Sequence, residues 1–355
     1  MYPCQLGLSS SQYKYDWLSM TFIDEDTSHC SMALIASINE FFVEGGISSA
    51  KALSHLSNTL ALVERRMHGA EALSDSTLCM VMMLILQEQL RHEKASQIHY
   101  QGLRRMIQLR GGLSQLESNP SLLLKMSKMD VLYALKYGRP LLYFRDSMSE
   151  VRKTLASAGL VLCNATTNKG RQENGIDTNL EQVLLDVLSM TALFNNLSSG
   201  QAIDLTTFLE MVISICCRLL RFRPLQSPKP ECKREAAYHI GLITFMTTLL
   251  LQWDNRRSQQ YTLVSQRIEE VLNELESVED ELLLWLLFVA SLWYPITTSH
   301  WLVLRIKNLA EQLSIAKWSS VRKYICRYPW IHALHDQRGY AVWNLVCQEK
   351  HRLEG

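Results

Sequence analysis

The chain has 355 residues, and its 36 Lys and Arg stand against 35 Asp and Glu for a formal net charge of +1. That balance excludes a global field that would draw the protein onto nucleic acid or an anionic membrane. With 47% hydrophobic and 20% charged residues a sizeable core is expected and wholesale disorder is excluded, and the scarcity of Gly (15) and Pro (8) favours helix over sheet.

In chain order, residues 1–27 are polar and aromatic without a clear period and are expected to form a loosely ordered arm. From Ser28 to Val43, Met32, Ile35, Ala36, Asn39 and Phe42 recur at helical spacing, and Gly45-Gly46 ends the element. Ser48 or Ser49 caps a helix running to Met67, and Ser74 or Asp75 caps the next, LCMVMMLILQEQL, which is apolar nearly all round and so buried on most sides. Its Met80, Met82 and Met83 suit core packing better than an adaptable pocket.

Glu93 to Leu116 follows, with Ala95, Ile98, Gly102, Met106, Leu109 and Leu113 three and four residues apart in one apolar stripe. Gly102 inside that stripe predicts a close helix contact, since a helical glycine otherwise costs roughly 1 kcal/mol. Arg110 lies in the last turn, and Gly111-Gly112 suits a left-handed cap.

Asn119-Pro120 opens a helix to about Tyr137, broken by Gly138-Arg139-Pro140, and residues 141–162 are ambiguous. Residues 164–177 are the candidate mobile loop. Helices are expected over about 179–197 and 203–221, and an extended, proline-rich connector over 222–232, carrying Pro224, Pro228 and Pro230. Further helices are expected over Glu235–Trp253, Gln260–Ser277, Asp280–Trp293, Ser299–Leu313 and Lys317–Cys326, with a last one near Tyr340–His351. No strand alternation of useful length and no fixed repeat is present. The expected fold is all-α, a single large domain of roughly a dozen helices over 28–355.

The nine cysteines (Cys4, Cys30, Cys79, Cys163, Cys216, Cys217, Cys232, Cys326 and Cys347) are odd in number and form no C-x-x-C pair. Neither a disulfide framework nor a zinc knuckle is indicated, and most should be buried thiols in a reducing compartment. The opening MYPCQLGLSSSQYKYDW has no basic or apolar region of a signal peptide, so the sequons at Asn164 and Asn196 are expected to be unglycosylated. The longest apolar run, Leu282–Tyr294, is too short to span a bilayer and reads as a buried helix.

The order His99, Gly102-Leu103, Met106, Leu109-Arg110-Gly111-Gly112 and Leu116 resembles a hallmark of the regulatory domain of fungal-specific transcription factors of the Zn₂Cys₆ class. The run Glu281-Leu282-Leu283-Leu284-Trp285 through Phe288-Val289 resembles that family's buried helix. Trp318, Val321, Tyr328-Pro329-Trp330 and Gly339-Tyr340-Ala341-Val342-Trp343 resemble its ending, with Tyr328 and Pro329 replacing the usual aromatic and leucine. The resemblance spans roughly residues 28–348. It implies an all-α regulatory body, acting in the nucleus and secondarily in the cytoplasm, through protein partners of the transcription machinery or a small effector. Members of the family carry a six-cysteine zinc cluster whose helix reads DNA. No such run of cysteines stands in this sequence, nor the basic linker and heptads that follow it, so sequence-specific DNA binding by this chain alone is not expected.

No G-x-S-x-G, Walker loop or H-E-x-x-H is present, and no catalytic residue, cofactor or metal is expected. His332 and His335 could share a helix face, but Asp336 is expected to point elsewhere, leaving no third ligand. Asp24-Glu25-Asp26 and Glu279-Asp280-Glu281 are expected to cap helices rather than bind metal. His99 is expected to be a hydrogen-bonded packing histidine, and Arg110 to pair with helix-end carbonyls or a carboxylate. The competing reading is an all-α enzyme or small-molecule carrier with its site between helices.

Overall fold

A computed structural model describes residues 4–43, 50–89, 92–162, 175–198, 200–251, 260–275, 280–295 and 300–354. The described chain is all-α. Its helices are α1 (Ser11–Thr21), α2 (Glu25–Val43), α3 (Ala50–Met67), α4 (Asp75–Gln89), α5 (Glu93–Leu109), α6 (Pro120–Tyr137), α7 (Met148–Ser157) and α8 (Thr178–Asn195). They continue as α9 (Leu205–Phe222), α10 (Lys233–Leu250), α11 (Thr262–Glu274), α12 (Asp280–Trp293), α13 (His300–Gln312), α14 (Trp318–Ile325) and α15 (His332–Glu354). The extended structure among the described residues is a two-residue parallel pairing of Leu8–Ser9 with Ile203–Asp204. The candidate mobile loop falls largely on residues 163–174, and the Ser48 or Ser49 cap on 44–49, both outside the described residues.

The chain divides into two compact units, Ser10–Ser127 and Met1–Ser9 with Lys128–Gly355. Within residues 1–27, the expected loose arm gives way to α1. Along α1 only Tyr13, Met20 and Thr21 are buried. So few inward positions in three turns leave almost no periodic signal.

In the unit Ser10–Ser127, α4 is the centre, with α1, α2, α3 and α5 packed around it. Every residue from Thr77 to Ile85 is buried, including Met80, Met82 and Met83, which is what an apolar all-round helix requires. Side chains start the helices as their types predict. The Asp24 carboxylate accepts the Thr27 N–H at 2.8 Å, Ser74 Oγ accepts that of Thr77 at 3.2 Å, and Asn119 Oδ1 that of Leu122 at 3.2 Å. Asp24 and Asp26 also receive the Arg66 guanidinium at 2.7 and 2.8 Å, tying α3 to the start of α2.

In the other unit, α10 and α12 form the core. All residues from Ala236 to Leu250 and from Leu282 to Trp293 are buried. Helices α8, α9 and α11 flank α10, while α13, α14 and α15 pack on α12. Buried Asp186 on α8 accepts from both Arg152 and Arg218, fastening α7 and α9 to it. The ambiguous stretch 141–162 holds α7, whose Met148, Val151 and Leu155 are buried. The last helix begins at His332, eight residues before the expected start, and runs straight through Gly339. That glycine is a packing position, since a Cβ there would stand 2.7 Å from the Trp318 ring and 3.0 Å from that of Trp330.

Candidate functional site

The hallmark on α5 is rotated from its expected phase. Its buried residues are Ser96, Tyr100, Leu103, Met106 and Ile107. Ile98 is 71% and Leu109 58% exposed. Gly102 has nothing within 4 Å of where its Cβ would be, so it marks open surface and no close helix contact. The outward apolar residues repeat at the same spacing as the inward ones, so the period alone could not tell the two faces apart.

Beyond Leu109 the stop is as the glycine pair predicts. Gly111 and Gly112 have φ of +106° and +98°, and the Gly112 N–H donates to the Ile107 carbonyl at 2.9 Å. Arg110 reaches the start of α4, donating to the Leu73 carbonyl at 3.2 Å and pairing with Asp75. His99 is half-buried, with its pKa lowered by that burial against the pull of nearby Glu88, and it makes no hydrogen bond among the described residues. The inward residues of α5 and the Arg110 contacts thus tie this motif to α4.

The tryptophans named in the sequence lie in the other unit. The Trp285 indole donates to the Pro329 carbonyl at 3.0 Å and stacks on Tyr328, ring centroids 5.4 Å apart. Trp318 and Trp330 both meet Phe288, at 5.8 and 6.4 Å. The Trp330 indole donates to Asp336 at 2.8 Å, and Trp343 is buried on α15. Nonpolar area with the indole N–H engaged, at Trp285 and Trp330, describes a core.

His332 and His335 do not converge. His335 is buried, accepting the Ile331 N–H at 3.1 Å and meeting Thr248 Oγ1 at 3.0 Å. Asp336, expected to point away, lies 3.7 Å from His332 Nδ1 because the two are one helical turn apart. Cys326 Sγ is 3.9 Å from the same nitrogen, and burial pushes its thiol up, so the thiolate a nucleophile needs is disfavoured. Among the described residues no three His, Cys, Asp or Glu side chains gather as metal ligands. Of the described cysteines, Cys30, Cys79, Cys216 and Cys217 are buried and free, while Cys232 and Cys326 are exposed.

A concave site lies where the proline connector folds back on α10 and α11. It is a shallow cleft lined by Pro224, Leu225, Pro230, Ala236, Ile240 and Val271 with Arg223, Ser227, Lys229, His239 and Arg267. The connector turns rather than extends, the Ser227 N–H donating to the Pro224 carbonyl at 3.0 Å. Arg267 on α11 holds it there. Its Nε and Nη2 donate to the Leu225 carbonyl at 3.1 and 3.0 Å, Nη2 also to that of Ser227 at 2.6 Å, and Nη1 to Glu270 at 2.7 Å. Lys229 pairs with Glu274.

Arg223 is the lining cation with no carboxylate partner among the described residues. Its Nη1 donates to the Pro228 carbonyl at 2.6 Å, and its Nε is buried without an acceptor. His239 faces the site from α10, its Nε2 3.1 Å from the Leu219 carbonyl. Burial foremost, then the nearby Arg223 and Arg267, holds its pKa down at about 4, so the imidazole is neutral and Nε2–H donates. The prolines signalled a connector. Nothing in the sequence signalled the site, because its anchors are the backbone carbonyls of Leu225 and Ser227.

A profile of the fungal-specific transcription factor domain family matches residues 7–302. The match begins before the resemblance seen around residue 28 and ends before Trp318, Trp330 and Trp343. No curated protein and no solved structure matches the chain.

Proposed function

Because the chain belongs to the fungal-specific transcription factor domain family, we propose that it is the regulatory body of a transcriptional regulator, working in the nucleus by binding protein partners or a small effector rather than by catalysis. The match over residues 7–302 carries this reading. The four-helix surround of α4 and the buried α10–α12 pair support it as rigid scaffolding for recognition. Fused to a heterologous DNA-binding domain in a fungal host, the chain should change transcription of a reporter placed behind that domain's site. A folded, nuclear fusion that leaves the reporter unchanged would overturn the proposal.

A further inference from the structure

Lys125 on α6 is held in a way that nothing described so far uses. Helix α1 lies against it, and its Nζ sits 4.0 Å from the Trp17 ring centroid and 5.9 Å from that of Tyr13. Among the described residues no carboxylate pairs with this ammonium and no carbonyl accepts from it. The thiol nearest in charge is Cys79 on α4, fully buried and pushed by burial up to about 12, so it stays neutral and offers no counter-ion. The Lys125 side chain nevertheless keeps partial exposure.

An ammonium flanked by aromatic faces gains cation–π attraction, yet it loses water that no anion replaces. Desolvation without a counter-ion is the environment that makes a lysine amine a nucleophile. From this cage we infer that Lys125 is an acylation site, taking an acyl group from a thioester, and that its acylation releases α1. Burial holds its pKa down at about 8, which leaves roughly two orders of magnitude more free amine at neutral pH than in an ordinary lysine. Lower basicity gives part of that gain back, so a net preference of about tenfold is expected.

The step balances without an oxidant. The amine lone pair adds to the thioester carbonyl carbon and the C–N bond forms. The C–S bond then breaks, the thiolate leaves, and it takes up the proton lost from nitrogen. The product is a neutral amide, which cannot sit as a cation over Trp17. Since Tyr13, Met20 and Thr21 are the buried residues of α1, the loss of that contact bears on a helix with few others.

The test uses the full chain and acetyl-coenzyme A as probe, with peptide mass spectrometry following initial rates at pH 7.5. Lys125 should acetylate about tenfold faster than the exposed Lys94, Lys153 and Lys317, and Trp17→Leu should shrink that preference by letting water in. Acetylated wild type should be cleaved within residues 11–21 by a dilute protease faster than untreated protein, whereas acetyl-coenzyme A treatment should not speed cleavage of Lys125→Arg. A rate at Lys125 no greater than at the exposed lysines would overturn the proposal and leave a structural cation. Fast acetylation with unchanged cleavage would overturn the release of α1.

Discussion

A Cβ on residue 241 would stand 2.5 Å from the Trp285 ring, so α10 and α12 approach as closely as they do only because residue 241 is glycine. Alanine would add about 1 kcal/mol of helix propensity, but the ring is packed and hydrogen-bonded to Pro329 and cannot give way. Gly241→Ala is expected to destabilise by about 1–3 kcal/mol net. Urea midpoints at constant slope measure it, and a variant as stable as the wild type would show the contact to be softer than this geometry says.

Gly102 predicts the opposite sign. With open space at its Cβ position in a regular helix, Gly102→Ala should stabilise by about 0.5–1 kcal/mol, chiefly by restricting the unfolded chain. Thermal unfolding of Gly102→Ala and Gly241→Ala side by side tests both claims. Destabilisation by Gly102→Ala would restore the close contact first expected from the sequence.

At the end of α5, Gly111→Val places a β-branched residue at a φ of +106° and should cost at least about 1 kcal/mol. Arg110→Ala removes a partly exposed pair with Asp75 and a bond to the Leu73 carbonyl, and should cost less, about 0.5–1 kcal/mol. A double-mutant cycle with Asp75→Asn isolates the pair. Loss of reporter activity in Arg110→Ala at unchanged stability would instead place this arginine in a recognition surface.

His239 couples stability to pH. Its folded pKa of about 4 lies below the ordinary 6.5, so between those values the unfolded chain binds the extra proton. Its contribution is therefore intact above pH 6.5, falls as the pH drops through 6.5 towards 4, and is level below that. From pH 7 to pH 5 the loss should be about 2 kcal/mol. His99 and His332 are pushed the same way by burial, so the informative quantity is the difference from His239→Gln, whose pH dependence should be flatter by that amount. Equal slopes for the two proteins would mean that His239 keeps its ordinary pKa in the fold.

Much of the secondary structure was legible because its signals are local. Asp24, Ser74 and Asn119 each satisfy the free N–H groups of a helix start within three residues of themselves. Gly111, Gly112 and the connector prolines act through their own dihedral limits. The burial of α4 and α12 also followed from sequence alone, since a helix apolar on every side has no face left for water.

The tertiary structure decided the rest. Composition and pattern determined that this chain is all-α and where most of its helices start and stop, because caps, breakers and the 3.6-residue period act over a single turn. Which face of α5 turns inward, why Gly241 and Gly339 are packing glycines while Gly102 is not, and how Arg267 folds the connector into a pocket were settled by what lies across from each residue. Those partners (Trp285, Trp318, the carbonyls of Leu225 and Ser227) stand tens of residues away, and a backbone carbonyl leaves no mark in the sequence. Only packing distinguishes positions that the sequence period makes equivalent.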